Sequence, residues 1–516
     1  MSDFSRRWFM KSAFAGVGLS ATCGALLARA ADARSPVVYR PTQQSLNSHP
    51  VPNWFQDGKL GIFIHWGLYS VPGFAPKGSL NDILATDYDR AMVINPYAED
   101  YWNAMKDPST PTARFHREHY GNLPYQGFRE KFQEGLRQWD PHAWASEFRN
   151  AGASYVVLTA KYADGYCLWP SRIRNPNESN WASQRDVVGE LAAAVRAQGM
   201  RFGVYYSGGI DWSFNRDVVR TLGHYINSVP GGDFPAYSEA QVRELIDRYD
   251  VDVLWNDIVW CTDQPTLFRL FADYYNEVPE GVVNDRWTAV TEQSLQLRTE
   301  QGWGYMDEMF KQRLKENPDF FAESPPAPPH CDFRTPEWVQ FKEIKEKKWE
   351  VCRGMGSSWG YNREETEKDY TSSQELLFSL IDAASKNGNM LLNIGPRGDD
   401  AQIPPEQLKR LREMGEWLRP NRAALYGTRP WTRAEAVTTT GDAVRITESG
   451  RTLNLIVCGR PSGVELRIKD LAVSGQARLL TDGSPITLTQ SGADLILGFG
   501  KALTGELAPV ISITRG

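Results

Sequence analysis

An apolar run that stops at a carboxylate, Tyr249-Asp-Val-Asp-Val-Leu-Trp-Asn-Asp257, carries the strongest chemical content of this chain. Val251, Val253 and Leu254 fit a buried parallel strand, and in an α/β barrel the reacting groups stand at the C-terminal strand ends, where Asp257 falls. A second carboxyl, Glu337, lies in Cys331-Asp-Phe-Arg-Thr-Pro-Glu-Trp338. Two carboxyls facing one glycosidic bond are the minimal equipment for its hydrolysis. With 63 acidic residues in the chain, any one of them alone is by default a loop acid, so the assignment rests on what surrounds this pair.

The elements that must position them form a repeated pattern. Between residues 53 and 421 short apolar runs alternate with amphipathic helices, as in successive βα units. Strands are predicted at 61–65, 155–159, 202–206, 251–255, 281–284 and 390–393. Asp186 caps a predicted helix whose stripe is Val187, Val188, Leu191, Ala194 and Val195, with Gly199 beyond its end. Ser238 with Gln241, and Ser372 with Glu375, read as capping boxes, the second helix stopping at Gly388. After Tyr426-Gly-Thr-Arg-Pro430 the pattern changes to short alternating strands, a β-sandwich tail. The fold class is therefore α/β: a (β/α)8-like barrel over residues 34–428, then a β-sandwich over 429–516. The polar connection from Thr288 to Pro329 is long for a barrel loop, and two readings of it stay open, a border of the site mouth or an unstructured surface excursion.

A chain of 516 residues exceeds one compact core. Its first 33 residues read as a twin-arginine export signal: Ser5-Arg-Arg-Trp-Phe-Met-Lys11, an apolar stretch from Ala13 to Ala28, and small residues at Ala28-Arg-Ala30 or Ala31-Asp-Ala33. The expected location is periplasmic or secreted. That route carries folded proteins, and Cys167, Cys261, Cys331, Cys352 and Cys458 show neither paired nor metal-like spacing. A net charge of −6 gives no electrostatic reason to bind nucleic acid or, once the signal is removed, a membrane. The 18 Trp and 21 Tyr suit stacking on the apolar faces of sugars, although large barrels also use aromatics as filler. His116 and His119 have helical spacing but no third ligand, so neither metal nor cofactor is expected. Lys342, Lys345, Lys347 and Lys348 alternate with Glu343 and Glu346 as on a solvated helix face.

Seven segments in order resemble the α-L-fucosidases of glycoside hydrolase family 29. They are Gly61-Ile-Phe-Ile-His-Trp-Gly-Leu-Tyr-Ser-Val-Pro72, Asn95-Pro-Tyr-Ala-Glu99, Gly203-Val-Tyr-Tyr-Ser-Gly-Gly-Ile-Asp-Trp212, Leu254-Trp-Asn-Asp257, Val283-Asn-Asp-Arg-Trp287, Ser358-Trp-Gly-Tyr-Asn362 and Asn387-Gly-Asn-Met-Leu-Leu-Asn-Ile-Gly-Pro396. The resemblance implies a barrel with a C-terminal β-sandwich and a retaining exo-glycosidase acting on a fucosylated oligosaccharide or glycoconjugate. It implies Asp257 as nucleophile and Glu337 as acid/base, with His65, Glu99, Tyr205, Trp255 and Arg286 lining the sugar pocket. Arg286 could instead pair with Asp285.

The departures bear on substrate choice. Where the family has Lys-His-His-Asp-Gly-Phe, this chain has Lys161-Tyr-Ala-Asp-Gly-Tyr166, and the family's tryptophan after Glu99 is Asp100. Tyr162 then becomes a candidate sugar contact, and Ala163 is expected to leave room where an imidazole would stand. Two other functions stay open: a glycosidase for a fucose relative such as L-galactose or a methylated fucose, and a carbohydrate-binding protein without catalysis.

Overall fold

A computed structural model describes residues 37–318 and 326–516. The segment at 1–33 that reads as an export signal, and Pro325, lie outside the described residues.

Seven parallel strands build the catalytic half: β1 (Leu60–Ile64), β2 (Tyr155–Lys161), β3 (Arg201–Ser207), β4 (Val253–Asp257), β5 (Val282–Val283), β6 (Trp349–Arg353) and β7 (Gly388–Ile394). Their order is β5-β4-β3-β2-β1-β7-β6. β1, β2 and β7 are buried along their whole length, which is why they read as apolar runs and not as alternating ones. The sheet curls, and an irregular segment bridges its two edges. Asp332 N–H donates to Val283 O at 2.9 Å on the β5 side. On the β6 side Arg334 and Glu337 form parallel bridges to Trp349 and Cys352. This degenerate eighth position ends at Glu337, so the element that closes the barrel delivers the second carboxyl to its rim.

All six strands read from the sequence are present; β6 was not foreseen. Its Glu350 interrupts the apolar pattern, yet it is fully buried and accepts a hydrogen bond from Tyr155 OH inside the barrel. The Tyr155 ring lies against Gly61, where any Cβ would collide with it, so that position tolerates no side chain.

Among the helices, Val187–Ala197 is capped by Asp186, and Ser373–Ser385 by the Ser372–Glu375 box. Three expectations are corrected. The helix Phe234–Tyr249 starts a turn before Ser238, with Pro235 in its first turn, so Ser238 and Gln241 lie on its buried face and cap nothing. Asn387, with φ 72°, and not Gly388, takes the left-handed position after Ser373–Ser385, and Gly388 opens β7. Residues 342–348 form no helix: Asn387 Nδ2 binds the carbonyls of Lys345 and Glu346, and Lys348 is buried. The alternating charges are mostly solvated, with Lys342, Glu343, Glu346 and Lys347 exposed, but they lie on an irregular segment and not on a helix face.

The tail is one antiparallel sheet, β8 (Arg429–Val437), β9 (Ala443–Ser449), β10 (Thr452–Cys458), β11 (Ser462–Ile468), β12 (Gln476–Leu479), β13 (Pro485–Ser491), β14 (Asp494–Thr504) and β15 (Val510–Thr514), ordered β11-β14-β13-β12-β15-β10-β9-β8. Its ends meet at a Thr438–Ile468 bridge, and both halves share one core that includes Ile446, Leu455, Leu466 and Leu497. The sheet thus folds over on itself to give the expected sandwich. It packs on the barrel through Trp417 Nε1, which donates to Leu507 O at 3.0 Å, and through Arg445–Asp382 at 2.5 Å. Tyr39–Gly516 is one compact unit, and of the preceding unit only the exposed Val37 and Val38 are described. Among the described residues no helix is long and apolar enough to cross a membrane, and the five cysteines are unpaired.

Candidate active site

Asp257 is the last residue of β4 and lies at the C-terminal rim of the barrel, registered beside Ser207 at the end of β3. Its Oδ2 accepts from Tyr205 OH at 2.9 Å, and its Oδ1 accepts from the Ile258 N–H at 2.8 Å and from Arg286 Nη1 at 3.3 Å. Three donors keep it in one rotamer.

Arg286 follows β5 and serves both carboxyls. Its Nη2 lies 2.5 Å from Glu337 Oε1 and donates to Thr335 O at 3.0 Å, while Nε donates to Thr335 Oγ1 at 3.1 Å. The guanidinium also lies 5.4 Å above the Trp255 ring, which stacks on Tyr205. The alternative pairing with Asp285 does not form: Asp285 accepts from Arg334 at 2.6 Å and from Thr335 Oγ1 at 2.5 Å. Burial and the Asp257 charge push the Glu337 carboxyl above its ordinary value, against the pull of Arg286. Both carboxyls are followed by side-chain-bearing residues in left-handed backbone, Ile258 at φ 68° and Trp338 at φ 62°. For bulky residues this costs on the order of 1–3 kcal/mol and typically persists where function over-determines the geometry.

The other wall carries His65, Glu99, Asp100 and Tyr162, all buried. Asn393 fixes the imidazole: its Nδ2 donates to Trp359 O at 2.6 Å, which turns its Oδ1 to accept from His65 Nδ1 at 2.7 Å. Nε2 is then the bare acceptor of a neutral ring, and burial pulls the His65 pKa down to about 3. Glu99 Oε2 accepts from Gly360 N–H at 2.8 Å, but Oε1 is buried without a partner. Burial, then the neighbouring Asp100, push Glu99 up to about 8, so it is protonated at neutral pH. Asp100 accepts from Tyr162 OH at 3.0 Å and from Asn95 Nδ2 at 2.9 Å, and burial raises it to about 7. Tyr162 stacks on Tyr205 at 6.0 Å, which couples this wall to the one that carries Asp257.

All eight candidate residues therefore converge on the barrel mouth. Asn393, Thr335 and Asn95, which orient His65, Arg286 and Asp100, had no role in the sequence reading, although Asn393 and Asn95 lie within the quoted motifs. Ala163 is 2 % exposed within the core, and Trp212 N–H donates to its carbonyl at 2.7 Å. Among the described residues of the 288–329 connection two helices form, Glu292–Gln296 and Glu300–Glu316. The longer helix packs on Leu222–Asn227 through Trp303 stacked on His224 and Asp307 accepting from Gly223 N–H. It supports the helix that carries Tyr225, whose phenol feels the charges of Asp100 and Asp257. His116 binds Tyr101 OH and Leu123 O, and His119 binds Phe115 O. Among the described residues no group of three or more His, Cys, Asp or Glu could hold a metal ion.

A parallel barrel whose C-terminal mouth holds two carboxyls on one guanidinium, beside buried hydrogen-bonding groups, defines a glycoside hydrolase. The model of the family described as alpha-L-fucosidase matches residues 26–423. Tissue alpha-L-fucosidase of Rattus norvegicus is 31% identical over 442 residues, covering 82% of this chain and 80% of its own. The structure of Thermotoga maritima alpha-fucosidase in complex with fucose is 38% identical, with a TM-score of 0.77, over 92% of this chain and 100% of that one. The same enzyme with a mechanism-based inhibitor gives 37% and 0.78, again over 92% of this chain and 100% of that one. The chain belongs to the alpha-L-fucosidase family.

Proposed function

We propose that this enzyme releases terminal α-L-fucose with retention of configuration, by attack of Asp257 on the anomeric carbon while Glu337 protonates the departing oxygen. The observation that carries this reading is the shared guanidinium, with Asp257 at 3.3 Å and Glu337 at 2.5 Å from Arg286. Two carboxyls on one partner favour the close spacing of double displacement, about 5–5.5 Å, over the wider gap of inverting enzymes. The electrostatics supply the proton cycle. In the free enzyme burial and the Asp257 charge raise the Glu337 carboxyl above its ordinary value, which favours the proton it must give. Once Asp257 is esterified that charge is gone, Arg286 dominates, and Glu337 becomes the base that activates water.

On the opposite wall, Glu99 would donate from its protonated Oε1 and His65 would accept at Nε2, so the two read neighbouring sugar hydroxyls in opposite senses. Release of an azide adduct from a slowed acid/base variant, with the α configuration kept or inverted, tests the stereochemistry directly. Periplasmic or secreted location by the twin-arginine route rests on Arg6-Arg7 and the apolar stretch behind it. Replacing both arginines by lysine should retain the protein in the cytoplasm.

A second reading, that a fucose relative is the preferred sugar, is favoured by Tyr162 hydrogen-bonded to Asp100 where relatives of the family carry histidine and tryptophan. A panel of aryl α-L-fucoside, α-L-galactoside and methylated fucosides separates the two.

A further inference from the structure

Beside Glu337 opens a cavity of about 350 Å³, at the lower end of the roughly 300–1,000 Å³ typical of ligand sites. It is lined by Glu337, Trp338, Tyr97, Arg353 and Asp369, among others, and none of the groups that surround Asp257 borders it. Under the glycosidase reading above, on which this inference rests, the group that takes the Glu337 proton is the glycosidic oxygen. Whatever that oxygen is attached to leaves on the Glu337 side, into this cavity.

The wall is continuous with the sugar pocket. Trp359 tilts over His65 at 5.4 Å, Trp338 packs on Trp359 at 5.3 Å, and Arg353 lies 5.9 Å over the Trp338 ring. The left-handed backbone at Trp338 swings that indole off the strand path and onto Trp359. An indole and a phenol on the wall suit the C–H face of a second sugar ring.

The charge is the informative part. Arg353 is half-buried, and its polar partners are neutral: Thr371 Oγ1 at 3.0 Å and Gly354 O at 3.4 Å. Among the described residues no carboxylate reaches it within ion-pair distance, whereas Glu337 is matched by Arg286 at 2.5 Å and Asp369 by Lys77 at 3.0 Å. A guanidinium in a partly desolvated cleft, with no carboxylate in direct contact and only the more distant charge of Glu375 acting on it, is suited to take an anion. We propose that this cavity is the leaving-group subsite and that it takes an anionic sugar, a uronate or a sulfate ester, held by Arg353. The substrate class is then an α-L-fucosyl residue on an acidic glycan rather than on a neutral one.

The test compares α-L-fucosyl-glucuronic acid with the α-L-fucosyl-glucose of the same linkage, and with its sulfated counterpart as the second anionic arm, using 4-nitrophenyl α-L-fucoside as the reference. The wild-type enzyme should hydrolyse at least one acidic disaccharide with kcat/KM about tenfold or more above the neutral one, and the ratio should shrink as salt rises. Whichever anion is preferred identifies the source. Arg353→Gln should bring the ratio towards one, while Arg353→Lys, keeping the charge without the fork, should retain part of it. Hydrolysis of the aryl fucoside with equal rates on acidic and neutral disaccharides overturns the subsite and leaves the glycosidase reading standing. An unchanged ratio in a folded Arg353→Gln also overturns it. Failure on every fucoside, the aryl one included, overturns the glycosidase reading and this assignment with it. The wild-type ratio decides without any variant, so a loss of folding in Arg353→Gln does not shield the proposal.

Discussion

The two walls of the sugar pocket hold the same chemical group in different surroundings. On one, Asp257 and Glu337 are 17% and 23% exposed and share the charge of Arg286. On the other, Glu99 and Asp100 are each 1% exposed, have no cation beside them, and are pushed up to about 8 and 7. The difference is one guanidinium and a little solvent. A carboxyl with a fixed cation can act as nucleophile or proton shuttle, whereas a carboxyl without one becomes a neutral hydrogen-bonding group. Bond cleavage is thereby assigned to carboxyls that share a fixed cation and sugar reading to carboxyls that do not.

The comparison breaks most visibly at Asp257. Asp257→Ala should lower kcat on an aryl α-L-fucoside by roughly a thousandfold or more, with the circular-dichroism spectrum unchanged, because the side chain is functional and not core. Near-normal turnover would falsify the nucleophile assignment. Glu337→Ala should divide substrates by leaving group: oligosaccharides lose most of their rate, activated aryl fucosides lose less, and azide partly restores turnover. Equal losses without an azide effect would move the acid/base to another residue.

The neutral wall should respond to pH in the opposite direction from an ordinary carboxylate. A folded pKa of about 8 against an ordinary value of 4.5 means that Glu99 binds more protons in the folded state across that interval. Its contribution is fully present below 4.5, falls as pH rises through the window, and is lost above about 8. Thermal denaturation followed across this range should show that slope in the wild type and a flatter one in Glu99→Gln. The same variant, whose amide can donate where Oε1 stands while its carbonyl accepts from Gly360 N–H, should keep most of kcat/KM, whereas Glu99→Ala should lose about 10–100-fold, the equivalent of one buried hydrogen bond to the sugar. Parallel pH slopes for the two proteins would mean that Glu99 is ionised when folded.

The smallest effect sharpens the comparison within the reading wall. Tyr162→His with Ala163→His should raise kcat/KM on plain α-L-fucosides by about tenfold and lower it on α-L-galactosides, since Tyr162 and Asp100 form one hydrogen-bonded unit. Because Ala163 is enclosed in the core, the single Tyr162→His separates sugar contact from overpacking. Identical responses on both sugars would remove these positions from specificity.

What could be read in the sequence follows the range of the interactions. Strands β1 to β5 and β7 announce themselves as apolar runs because both faces are covered, and the end of such a run located Asp257. β6 stayed hidden because Glu350 lies within it, and the partners that make that burial tolerable include Tyr155, 195 residues earlier. The segment around Glu337 has no strand pattern, since it is held by neighbours on β5 and β6 and not by its own periodicity. Residues 342–348 were misread for the same reason: their charges alternate as on a helix, but Asn387 takes their carbonyls. Within the site, motif residues were legible by type. That Arg286 would choose Asp257 and Glu337 over the adjacent Asp285 was not, because sequence neighbours say nothing of where a guanidinium points.

The position of β1 between β2 and β7 has a temporal meaning. While the chain is being made, one edge of β1 has no partner until residues 388–394 emerge, and His65 lacks Asn393, 328 residues away, for the same interval. At about 5–20 residues per second that interval lasts roughly 16–65 s, during which an unpaired strand is open to wrong partners. The last barrel strand therefore closes the sheet and sets the histidine tautomer in one event. Nascent chains therefore lack an assembled site until the last barrel strand has emerged.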